Sequence, residues 1–142
     1  MKPAPTSSRK RPTGLRAFPA EVSLQLTLAG FLLMSALSAA AGPADVLEAH
    51  TICNAESLCV FTVTVKHADS GWQHYANRWE VLGPDDEVLA TRTLRHPHVG
   101  QQPFTRKLPA VQLSETLTTV RIRAHDRVHG YGGAEVSVEL ER

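Results

Sequence analysis

Six of the seven histidines fall into three close pairs: His67 with His74, His96 with His98, and His125 with His129. Neutral imidazole is the commonest protein ligand for transition metals, and its charge changes near physiological pH. Three such pairs meeting at one place would make a metal site. His96-Pro97-His98 sets two imidazoles at i and i+2, on one side of an extended segment, and Pro97 biases His96 toward extended backbone. His125 and His129 are four apart, a chelating interval on a helix, but the run Gly130-Tyr131-Gly132-Gly133 and the strand pattern before it predict a loop. His67-Ala68-Asp69 and His125-Asp126 each add a carboxylate, Asp69 or Asp126, that could ligate or hold an imidazole from behind. Imidazole and carboxylate donors suit copper(II) or zinc, with nickel also in range. Both methionines, Met1 and Met34, belong to the N-terminal segment, so a soft copper(I) site is not expected. An imidazole site of this kind releases its ion as pH falls, because the ligands must be deprotonated.

Other readings compete for the same residues. A single exposed histidine is usually only polar surface. The six could instead form a hydrogen-bonded structural network with Asp and Arg side chains. Trp72, Tyr75 and Tyr131 lie among them, either as a wall that limits water access or as a shallow platform for a sugar or peptide. Arg78, Arg92, Arg95, Arg106, Arg121, Arg123 and Arg127 could contact anions, although most belong on outward strand faces as solvated charge. A pH-responsive interaction domain is a further class, marked by a cooperative change near pH ~6 without metal. An enzyme is not expected. Ser70 adjoins His67 and Asp69 in sequence, but adjacency is not triad geometry.

The elements that must position these residues are strands. After residue 41 the hydrophobic period is two almost throughout. Phe61-Thr62-Val63-Thr64-Val65-Lys66, Val120-Arg121-Ile122-Arg123-Ala124 and Val136-Ser137-Val138-Glu139-Leu140-Glu141 alternate cleanly. Arg78-Trp79-Glu80-Val81 ends at the turn Gly83-Pro84-Asp85-Asp86, with Trp79 read as core. Residues 87–94 make a weaker strand, 104–108 another that resumes at 111–113, and 46–52 a first strand with a poor pattern. The expected fold is all-β: a seven-stranded antiparallel two-sheet sandwich of immunoglobulin or fibronectin-III type. Alternate connections of such a sandwich share a pole. Those near 68–74, 96–102 and 126–133 fall at one end, and those near 54–57, 83–86 and 109–117 at the other. All six paired histidines lie at the first pole or on strand ends leading to it, and His50 does not. His67 also shares the parity of Phe61, Val63 and Val65, so it could cap the core with a hydrogen bond.

The chain opens on residues 1–20, rich in Lys, Arg and Pro, followed by an uncharged apolar run over 22–41 that ends Ser38-Ala39-Ala40-Ala41-Gly42. This is the layout of a secretory signal peptide over 1–41, leaving a single sandwich domain at 42–142. An uncleaved anchor is the competing reading, since about twenty apolar residues can just span a bilayer. After cleavage no stable membrane span is expected. No cysteine follows the run closely, so a lipid-anchored form is not suggested. Residues 42–142 carry ten Lys and Arg against thirteen Asp and Glu, and a charge of −3 gives no electrostatic reason to expect nucleic acid. Cys53 and Cys59, with a turn-like Asn54-Ala55-Glu56-Ser57-Leu58 between them, read as a disulfide in an oxidising, periplasmic or secreted setting. The expected partners are a metal ion and another periplasmic protein.

Three blocks, HADSGWQHYANRWEV (67–81), HPHVGQQPFTR (96–106) and RAHDRVHGYGG (123–133), resemble a family of small exported bacterial proteins marked by HADxGWxHY, HPHxxxQPFTR and HDxVHGYGG. The resemblance runs from about Phe61 to Leu140 and implies that the loop blocks belong together. It attaches no activity to them, and the Cys53/Cys59 pair is a departure from it.

Overall fold

The computed structural model describes residues 41–142, so the signal peptide expected over 1–41 lies outside the described residues save for Ala41. Seven strands follow in chain order: β1 (Asp45–Cys53), β2 (Leu58–Lys66), β3 (Ala76–Leu82), β4 (Val88–Thr93), β5 (Phe104–Gln112), β6 (Thr119–Asp126) and β7 (Val136–Glu139). They form two antiparallel sheets, one ordered β1-β2-β5 and the other β4-β3-β6-β7. This is the expected all-β sandwich, and among the described residues there is no helix.

The alternation in the sequence is the inward face of each sheet. Cys59, Phe61, Val63 and Val65 of β2 meet Trp79 and Val81 of β3 and Val120, Ile122 and Ala124 of β6 in one core. Trp79 is fully buried there, and a side chain of that class is worth roughly 1.5–3 kcal/mol or more when taken out of water. Where the pattern was poor, the structure gives the reason. Ala44, just before β1, and Val46 are buried ahead of a register shift between Val46 and Glu48, and Thr51 and Cys53 beyond it. A bulge of this kind moves the inward face from even to odd positions and erases the alternation. In β5 the inward face passes from Phe104 to Val111 across Ala110, which has φ 57°. The strand expected as two pieces is therefore continuous but switches parity.

Cys53 and Cys59 face each other in the β1–β2 register and form a disulfide. At the opposite pole, β2 and β5 begin their pairing at Val65 and Phe104, and β3 and β6 at Ala76 and Asp126. The connections β2–β3, β4–β5 and β6–β7 all leave from this end.

Candidate metal centre

Two of the site's side chains carry an inward row to the end of its strand, His67 one residue past β2 and Asp126 as the last residue of β6. His67 continues the inward row Phe61, Val63, Val65, and Asp126 continues Val120, Ile122, Ala124; both are buried. A charged and a titratable group at the end of an apolar row must find partners or cost free energy. The loops are built around that need.

Asp126 is held by its own turn. Its Oδ1 accepts N–H bonds from Val128 and His129, both at 2.8 Å, and lies 3.1 Å from His129 Nδ1. The backbone closes through reciprocal Asp126–Gly130 bonds of 3.1 Å, with Gly130 at φ 72°, a conformation that favours glycine. Burial opposes ionisation of Asp126. The N–H groups of His129 and Val128, with the neighbouring imidazoles of His67 and His129, outweigh it and hold the carboxyl below its ordinary range.

His67 is aimed by Asp69, also buried. His67 Nδ1 lies 2.6 Å from Asp69 Oδ1, which accepts the Ala76 N–H at 2.9 Å as well, while Oδ2 accepts the His98 N–H at 2.7 Å. With its Nδ1–H donated to a carboxylate, His67 presents the Nε2 lone pair forward. His74 is brought in by a tight turn, with the Ser70 N–H on His74 O and the His74 N–H on Gly71 O. That turn is fastened to the β6–β7 loop: the Arg127 N–H reaches Tyr75 O, and Arg127 Nη1 reaches Trp72 O at 2.9 Å.

The result is a group of four, His67, His74, Asp126 and His129, with one donor atom from each and all within 4.8 Å of one another. His67 Nε2 is 4.0 Å and His74 Nε2 3.5 Å from the Asp126 carboxylate. His67 Nε2, His74 Nε2 and Asp126 Oδ2 are buried, and none has a hydrogen-bond partner among the described residues. Leaving a buried polar atom unmade costs about 1–3 kcal/mol, so three at one point mark a place shaped for an occupant. Imidazole nitrogens and a carboxylate oxygen bind zinc or copper(II) at about 2.0–2.2 Å. Burial falls across the set, from His67 and Asp126 inside, through His74, to exposed His129.

The other expected ligands lie outside this group. His98 is buried, stacked on Phe104 with centroids 3.8 Å apart, and its Nε2 is 2.8 Å from Arg106 Nη2. Burial, with the charges of Arg106 and His96 against that of Asp69, holds it below the ordinary imidazole range. His96 is exposed beside it, at 4.6 Å between ring centroids. His125 alternates outward from β6, bonds Asn77 Oδ1 at 2.7 Å and meets the Tyr131 ring edge-on. Burial and Arg78 lower its pKa against the opposing charges of Asp126 and Glu80. Of the aromatic residues, exposed Trp72 packs on buried Tyr75, whereas Tyr131 sits against His125, Arg78 and Arg123. Asp69 holds an imidazole from behind. Asp126 turns a carboxylate oxygen into the group itself, and its inward parity with Val120, Ile122 and Ala124 is the sequence signal for that placement.

No family model matches the chain, and no solved structure matches it. It is similar to a protein of Halomicrobium mukohataei named "Putative lipoprotein", 40% identical over 81 residues, which are 57% of this chain. The match spans 39% of that relative, so the chain corresponds to about two fifths of its length.

Proposed function

We propose that this is an exported β-sandwich protein that holds one copper(II) or zinc ion through His67, His74, His129 and Asp126, for storage, delivery or sensing rather than catalysis. One observation carries the reading: three buried, partnerless donor atoms converge at the pole of the fold. A purely structural network would have no use for leaving His67 Nε2, His74 Nε2 and Asp126 Oδ2 unbonded. The exposed edge at His129 and the intermediate burial of His74 give a partner protein a route to the ion. Export is supported by the disulfide, by the apolar run after a basic start, and by the name of the relative. Both cysteines of this sequence are joined to each other, so neither is free to carry a lipid.

The test is a titration of the chelator-stripped full chain with copper(II) and with zinc at pH about 7.5. Expected is one-to-one binding tighter than about 1 μM, equivalent to about 8 kcal/mol. It should be lost in His67→Ala and His74→Ala and kept in His96→Ala. Binding no stronger in the parent than in His67→Ala would mean that water fills the site and that the network is structural.

A further inference from the structure

A second site lies beside the first on the open flank of the sandwich, between the edge strands of the two sheets. β4 pairs only with β3 and β5 only with β2, so their free edges face each other without hydrogen bonds across the gap. The gap is a cavity of about 370 Å³ lined by Arg92 and Thr93 of β4, by Arg95, His96 and His98 of the following loop, and by Arg106 of β5. Among the described residues no carboxylate lines it.

The arginines among the described residues divide into those engaged elsewhere and those that line the cavity. Arg78 and Arg123 bond Glu80, Arg121 bonds Asp86 and Glu135, Arg127 bonds the backbone carbonyl of Trp72, and Arg142 bonds backbone carbonyls of Ser114 and Leu117. Arg92, Arg95 and Arg106 have no carboxylate partner among the described residues, and all three line this cavity. Arg92 Nε is buried with no hydrogen-bond partner among the described residues. Arg106 is fixed rather than free: Nη1 donates to Thr105 O at 2.8 Å, Nη2 lies 2.8 Å from His98 Nε2, and the guanidinium packs 5.5 Å from the Phe104 ring centroid. A guanidinium held in place by its neighbours, facing two others across a concave wall without counter-charge, is a ready anion receptor.

We infer that this cleft binds a tetrahedral oxyanion, phosphate or sulfate, presented as the charged end of a small molecule. Planar guanidinium forks match the geometry of such an oxyanion bidentately, which a point charge does not. The volume falls within the range of about 300–1,000 Å³ usual for small-molecule sites. It would hold on the order of a dozen waters at about 30 Å³ each, so the cleft has room for whatever the oxyanion is attached to. Asp69 ties the cleft to the metal centre, with Oδ2 on the His98 N–H and Oδ1 on His67.

The experiment titrates the full chain, stripped of metal so that no bound ion recruits the anion, with inorganic phosphate, sulfate and glycerol 3-phosphate at constant ionic strength. Binding is followed by amide chemical shifts. Expected is saturable binding with Kd of about 1 mM or tighter, with shifts centred on residues 92–98 and 106. Tighter binding of glycerol 3-phosphate than of inorganic phosphate would identify a phosphoryl monoester as the ligand, and equal affinities would identify the free oxyanion. Arg106→Gln and Arg92→Gln should weaken binding about tenfold, the size of one charge-assisted pair. Arg95→Gln should act in the same direction, and its exposed side chain makes no bond among the described residues whose loss could unfold the domain. Arg121→Gln, whose guanidinium is paired elsewhere, should leave affinity unchanged. Absence of saturable binding, or binding as strong in Arg95→Gln and in Arg92→Gln as in the parent, overturns the assignment.

Discussion

Two polar clusters lie on either side of β6, and they are built on opposite plans. On the outward face, Glu80, Arg78, Arg123 and Tyr131 satisfy one another. Tyr131 Oη donates to Glu80 Oε1 at 2.6 Å and accepts from Arg78 Nη2 at 2.8 Å, Arg123 Nε donates to Glu80 Oε2 at 2.9 Å, and the Arg123 guanidinium lies 3.9 Å from the Tyr131 ring centroid. Around the inward end of the same strand, Asp126, His67, His74 and His129 approach as closely, yet three of their buried atoms bond nothing. A polar cluster that closes on itself contributes to stability. One that stays open is held in place by partners behind it and gives up stability at its centre. The difference sorts charged residues near a site into those that hold the fold and those that face a ligand.

The sharpest way to break that comparison is to damage each cluster and read both properties. Asp126→Asn should lower metal affinity by more than about 100-fold, beyond the roughly 10–100-fold typical for an outer partner of a metal ligand. It should leave the apo protein folded, since the Asn oxygen can still accept the Val128 and His129 N–H groups. Glu80→Gln should do the reverse: metal affinity unchanged, and denaturant stability down by about 2 kcal/mol through loss of charge-assisted bonds to two arginines. Isothermal titration and urea melts of the two variants are the measurements. An effect of Glu80→Gln on affinity equal to that of Asp126→Asn would show the two clusters to be one.

Asp69 sharpens the same distinction from behind the site. It touches no donor atom facing the centre: it bonds the far nitrogen of His67 and two backbone N–H groups, and His98 Nδ1 lies 3.9 Å away. Asp69→Asn should cost about 10–100-fold in metal affinity, with part of the loss appearing as altered tautomer populations of His67 by nitrogen NMR in the apo protein.

Much of this was legible in the sequence, and the parts that were not share one cause. Strict alternation in β2, β6 and β7 marks the sheets, and alternation of strand connections marks the pole where the histidines gather. The alternation also holds the finer answer, because the inward rows run on to His67 and Asp126 and place His125 outside. What it does not hold is the course of the loops. His74 and His129 arrive through turns closed by backbone bonds, and His98 turns away to stack on Phe104, none of which has a period. The parity switches of β1 and β5 were hidden for the same reason, since a bulge breaks the rule that would reveal it.

Acid separates the closed cluster from the histidines by its pH window. Glu80 is opposed in ionising by burial, but bonds from Tyr131, Arg123 and Arg78 hold its pKa below the ordinary 4.5. Between those values the unfolded chain binds a proton that the native chain does not, so the Glu80 contribution is intact above 4.5 and is lost as pH falls through the native value. His98 is likewise lowered, from 6.5. The unfolded chain protonates first below 6.5, and stability begins to decline there. Urea midpoints of the metal-free protein should therefore fall in two steps, one starting near 6.5 and a second below 4.5. Glu80→Gln should shrink only the second, whose remainder belongs to Asp126, also held below its ordinary range.

The smallest expected effect tests whether the closed cluster is closed by Tyr131. Its hydroxyl is the only group in that cluster that both donates and accepts, so it lets Arg78 and Glu80 share a partner as well as touch directly. Tyr131→Phe keeps the ring against His125 and beneath Arg123 and removes only the hydroxyl. Because Arg78 and Glu80 retain their 3.0 Å bond, neither is orphaned, and the cost should be about 1 kcal/mol. For a domain of this size that is a melting-temperature drop of about 4–8 °C. Metal affinity should not move, since Tyr131 touches none of the four donors. A drop in affinity with the melting temperature intact would place Tyr131 with the open cluster instead.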